Sequence, residues 1–216
     1  MKFEDYKREI ELIRKQNCIE QDLYSVIACL IREQENSKSV SIRDVSNRRR
    51  TKLAQGLEKE SYGIGGFPDF VVLSEEFSSE KSCRENVLGA IEAKYIGCKL
   101  DEIEKNEQLK GHILWFNKVL YTNGLWWQYY EYSASQENSI SIEQLQNNLY
   151  FWRKKEAYPW RQNELQLLKS MKGLQPKWSI WLVEAENGNN DKMKWKESEW
   201  DKLQNELLKI TWEKME

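Results

Sequence analysis

The sequence predicts an α/β protein. Apolar residues recur at helical spacing through the first 34 residues. Two apolar runs of strand length follow at 67–73 and 87–96. An Asn123-Gly124 pair, a strong hairpin signal, joins two more such runs at 118–122 and 125–132. To residue 132 the expected order is helix, helix, loop, strand, strand, helix, strand, strand.

Phe3, Tyr6, Ile10 and Ile13 place the first helix over 3–16. Leu23, Val26, Ile27, Leu30 and Ile31 place the second over about 19–34, with Glu20 in its first turn. Residues 35–52 are polar and read as a loop or short strand leading into a basic connection. Tyr62-Gly63-Ile64-Gly65-Gly66 is a backbone-permissive turn. Pro68 is tolerated near the start of the strand at 67–73, where no ladder donor is needed. The strand at 87–96 pairs antiparallel with it, and a helix over about 101–116 carries Gly111 as an internal weak point. Beyond 132, Ser141 with Gln144 marks a helix start, 163–172 reads as helix, 177–184 alternates like a strand, and a last helix spans about 197–214. Trp200, Leu203, Leu207 and Ile210 form its stripe.

A chain of 216 residues and 25.9 kDa makes one domain, or one domain with a small appendage. Its hydrophobic fraction of 40% is enough for a core, and no stretch approaches the ~20 apolar residues of a membrane helix. The mixed-charge start Met1-Lys2-Phe3-Glu4-Asp5 lacks the apolar centre of a signal peptide. Cysteines stand at 18, 29, 83 and 98 without a CxxC pair, which argues against a zinc ribbon, an iron–sulfur cage or a disulfide framework. The expectation is a reduced, cytoplasmic protein. Net charge is −2, yet basic residues cluster over Lys38–Lys59 and Arg153–Lys177. Such clusters can form a polyanion-binding face, and they can equally be solvated loops and helix faces.

Pro68-Asp69 and Glu92-Ala93-Lys94 carry the chemistry. In a strand, Glu92 and Lys94 project from one face and Ala93 from the other. A partner strand bearing Asp69 brings a second carboxylate beside them. Their neighbours Phe67, Phe70, Val71, Val72, Ile91 and Ile96 are apolar, and charge placed there is costly unless paired or metal-bound. The plain alternative is a strand with an exposed Glu/Lys face. Phosphodiester cleavage uses a hard divalent cation with oxygen ligands, which Asp69, Glu92 and the backbone carbonyl of Ala93 can supply. Lys94 can orient or help deprotonate the attacking water.

These residues resemble the PD-(D/E)xK nuclease superfamily, which has the restriction-endonuclease-like fold. Gln108-Leu109-Lys110-Gly111-His112 is similar to the Gln-x-x-x-Tyr helix of type I restriction subunits, with histidine where tyrosine is usual. The resemblance covers roughly residues 5–132. It implies an αβββαβ core with a mixed central sheet over 1–132; residues 133–216 match no pattern and are expected to form a Trp-rich, mainly helical extension that packs on the core, contacts DNA or forms a homodimer. It implies a Mg²⁺-dependent DNA endonuclease of restriction or defence type, Mn²⁺ substituting, with no membrane association. Asp69, Glu92, Lys94 and Gln108 would be catalytic. Asp69, Glu92, the Ala93 carbonyl and Glu20 would hold metal, and Arg48, Arg49, Arg50, Lys52 and His112 would meet nucleic acid. The alternatives are a non-catalytic DNA- or protein-binding module on the same fold and a tryptophan-rich interaction domain.

Overall fold

A computed structural model describes residues 1–47, 56–80, 83–100, 106–132, 174–184 and 193–214. Helix α1 spans Phe3–Gln16 and buries Tyr6, Ile10 and Ile13, the stripe its sequence predicts. Glu4 and Asp5 in its first turn and Arg14 and Lys15 in its last complement the helix dipole. Cys18, with φ 55, turns the chain into helix α2, Asp22–Arg32. Glu20 therefore stands in the turn before this helix and not in its first turn, its carbonyl accepting from Leu23 N at 3.1 Å.

Six strands form one sheet in the order β1 to β6: Val40–Asp44, Phe70–Ser74, Val87–Ala93, Lys118–Thr122, Trp126–Glu131 and Trp178–Trp181. Neighbours are antiparallel except β3 and β4, which run parallel. A parallel pair needs a crossover, and it contains helix α4, Glu107–Phe116; helix α3, Gly56–Ser61, lies between β1 and β2. Helix α4 starts later than the expected 101, because the Asn106 side chain caps it by accepting from Leu109 N at 2.9 Å.

Alternation sends Phe70 and Val72 to one face of the sheet and Val71 and Leu73 to the other. The first face packs with Ile91, Leu120, Trp127 and Ile180 against α1, α2 and α5, where α5 is Glu197–Leu208. The second packs with Ala90, Val119, Tyr121 and Tyr130 against α4. Leu88 is an extra residue between the pairs Val72↔Gly89 and Leu73↔Val87, a bulge that puts Gly89 beneath Trp212. Between β4 and β5, Asn123 Oδ1 accepts from Leu125 N and Trp126 N, and Gly124 takes φ 82.

Helix α5 ends at Leu208, so Ile210 is buried beyond it and not on its stripe. Its Trp200 ring lies 4.8 Å from that of Tyr6 on α1. Of the roles open to residues 133–216, packing on the core is the one that β6 and α5 take. The helices expected from Ser141 and over 163–172 lie outside the described residues. No helix among the described residues is long and apolar enough to cross a membrane.

Candidate active site

The strand at 67–73 begins only at Phe70, and the strand at 87–96 ends at Ala93. Asp69 and Lys94 thus stand just outside the ladder, at one end of the sheet. Lys94 N still donates to Thr122 O at 2.8 Å, carrying the β3–β4 register one residue further. This end holds the C-termini of the parallel strands, where open α/β sheets form their ligand crevices.

Asp69 Oδ2 accepts from Ala93 N at 2.7 Å, next to Glu92. Its Oδ1 accepts a short hydrogen bond from the Tyr24 hydroxyl on α2. The same hydroxyl lies 3.3 Å from Glu20 Oε1. Glu92 is 3% exposed. Its Oε1 receives Lys94 Nζ at 2.5 Å, and its Oε2 lies 3.3 Å from His112 Nε2 on α4. The site is therefore closed from one face of the sheet by α2 and from the other by α4.

Burial, and then the charge of Glu92, push the Asp69 carboxyl up to about 7. Tyr24 and the Ala93 amide pull the other way without reversing this. Burial also raises Glu20. For Glu92, burial acts upward, but His112 and Lys94 together outweigh it and hold the carboxyl low. For Lys94, burial acts downward and is outweighed by Glu92, Glu20 and Asp69, so the amine is raised and stays an ammonium. Burial and the Asp69 contact raise Tyr24, which stays a donor.

Three carboxylates thus face one ammonium, an excess of negative charge in a half-enclosed site. Asp69, Glu92 and the Ala93 carbonyl are the oxygen donors available to a hard divalent cation. Among the described residues no three His, Cys, Asp or Glu side chains converge as a closed metal cage. Mg²⁺ keeps several of its waters and takes one or two carboxylates from a protein. Glu92 Oε1, held only by the Lys94 amine, is the acceptor a cation would take over, since His112 Nε2 flanks Oε2.

Of the residues singled out in the sequence, Glu20, Asp69, Glu92, Ala93 and Lys94 come together. Gln108 does not join them: its side chain is exposed, and its backbone carbonyl lies against Gly65. His112, expected on the nucleic-acid side, is 0% exposed and faces Glu92. Burial excludes a surface contact with a polymer. Arg48, Arg49, Arg50 and Lys52 lie outside the described residues. Tyr24 went unread in the sequence. Its signal was present, since it follows Glu20 by four residues, the spacing that shares one side of the helix expected over 19–34. Comparison of the chain with protein-family models, curated proteins and solved structures gives no match.

Proposed function

We propose that this protein is a divalent-cation-dependent phosphodiesterase, a DNA endonuclease of the PD-(D/E)xK kind with a restriction or defence role. One observation carries the reading. Asp69 is bound to the amide next to Glu92, and Glu92 is paired to Lys94, at the C-terminal end of β3. The order α2, β1, β2, β3, α4, β4, with β1 to β3 antiparallel and β4 parallel to β3, supports it as the αβββαβ arrangement of that fold.

Asp69, Glu92 and the Ala93 carbonyl would hold Mg²⁺, with Mn²⁺ able to replace it. The cation would polarise the phosphoryl group and acidify a bound water. Tyr24 keeps Asp69 turned toward Ala93. Lys94 would orient the attacking water and offset charge developing on the phosphate. Glu20 adds negative charge on the α2 side and completes the field around the cation.

The test is incubation of supercoiled plasmid and single-stranded DNA with the purified full chain in Mg²⁺, Mn²⁺ or EDTA. Metal-dependent cleavage that disappears in Asp69→Ala and Lys94→Ala is expected. The rival is a non-catalytic module on the same scaffold. DNA binding without cleavage under both cations would establish that rival.

A further inference from the structure

His112 is the chain's one histidine and is fully buried. Its Nε2 lies against Glu92 Oε2 at 3.3 Å, while Nδ1 has no hydrogen-bond partner among the described residues. A buried polar atom left in that state costs stability, so packing alone does not account for a histidine here. Phenylalanine or leucine would fill the space without that cost.

The ring is also held from behind. A Cβ on Gly65 would stand 2.8 Å from His112 Nδ1 and 2.9 Å from Cε1. A Cβ on Gly111 would stand 2.4 Å from Gly65 N. The Gly63–Gly66 turn is closed by two backbone hydrogen bonds and interlocks with α4 through these two glycines. The imidazole therefore has no room to retreat. Lys94 differs in every respect: it lies beyond the strand end, its side chain is 21% exposed, and its stem is flexible. Both oxygens of Glu92 are flanked, Oε1 by Lys94 and Oε2 by His112. A cation that binds Glu92 must displace one of them.

We infer that His112 is a positioning residue that fixes Oε2 of Glu92, so that a divalent cation enters on the Oε1 side and turns the Lys94 amine out toward the cation's water. The inference rests on the nuclease reading and adds to it the direction of entry and the group that moves. The Gly63–Gly66 turn becomes part of the site without touching substrate, because it sets the ring that sets the ligand.

The experiment is calorimetric titration of the full chain with Mn²⁺, alongside thermal melting and the Mn²⁺ concentration for half-maximal cleavage. His112→Phe is expected to weaken Mn²⁺ binding about 10–100-fold, the usual effect of losing a group that orients a ligand. His112→Gln, which keeps an N–H donor, recovers most of it. Gly65→Ala, which contacts no ligand and whose Cβ would press on the Gln108 carbonyl and on the ring, shifts Mn²⁺ affinity in the same direction, and gives the reading if His112→Phe fails to fold. Wild-type Mn²⁺ affinity in a folded His112→Phe or Gly65→Ala, or equal loss in Phe and Gln variants, overturns the inference and leaves the nuclease reading standing. A wild-type chain that neither binds Mn²⁺ nor cleaves overturns both.

Discussion

At the N-terminal end of the β3–β4 pair, Lys118 is buried and donates to Thr211 O at 2.6 Å and to Glu213 O, tying down the segment that carries Trp212. Arg84 at the same end donates to Val87 O and Trp115 O and lies over the Trp115 and Phe116 rings. At the C-terminal end, Glu92 and Lys94 have each other, and Asp69 has Tyr24 and one amide. Both ends enclose charge. One gives it to backbone carbonyls, which cannot change partners without unfolding the strand or strap that bears them. The other gives it largely to side chains, which can. Enclosed charge is therefore no mark of function by itself; side-chain partners that can be exchanged are what set the second end apart.

Substitutions should separate the two ends. Asp69→Asn removes a cation ligand and is expected to lower cleavage about a thousandfold, the several kcal/mol a metal supplies to the transition state, with the fold retained. Plasmid cleavage and circular dichroism measure it. Gly111→Ala reverses an ordinary expectation. Alanine in a helix interior normally gains about 1 kcal/mol over glycine. Here its Cβ would meet Gly65 N at 2.4 Å. A loss of about 1–3 kcal/mol in urea unfolding is expected. Lys118→Met strips buried carbonyls of their donor and is expected to cost about 1–3 kcal/mol, with cleavage by the folded fraction unchanged. A loss of cleavage there without loss of stability would erase the distinction between the ends.

The smallest effect is on pH dependence without metal. Asp69 titrates near 7 in the fold against an ordinary 3.8, so the folded chain holds a proton there that the unfolded chain has lost. Stability is then lost as pH rises from about 4 through 7. The raised Glu20 acts in the same direction. Glu92 is held low, so its contribution is present above its ordinary value of 4.5 and is lost as pH falls through its folded value. Urea midpoints in EDTA from pH 5 to 8 should fall for the wild type and fall less for Asp69→Asn. An equal slope in both would sink that assignment.

Much of the fold was legible. The α1 stripe predicts Phe3–Gln16 because a 3.6 period has no competing reading there, and Asn123-Gly124 fixes the β4–β5 hairpin through turn chemistry. The grouping of Asp69, Glu92 and Lys94 was legible as spacing plus strand alternation. What failed needed long-range packing. His112 was placed with the nucleic-acid contacts by resemblance alone, and no local pattern tells that every residue from Leu109 to Phe116 is buried. Gln108 was assigned by resemblance to a Gln-x-x-x-Tyr helix, which cannot tell that its side chain is exposed here. Tyr24 had a sequence signal, but its acceptor Asp69 is set by where β2 begins. The partners of Lys118 and Gly89 lie about 90 and 120 residues away along the chain, and no local pattern reveals them.

A crystal structure of the full chain with Mn²⁺, phased on the metal's anomalous signal, tests the central claim most directly. The account predicts a metal peak between the carboxylates of Asp69 and Glu92, with Lys94 Nζ moved off Glu92 Oε1 and His112 still against Oε2. At saturating Mn²⁺, the absence of a peak between those carboxylates, with Lys94 still paired to Glu92, would contradict it.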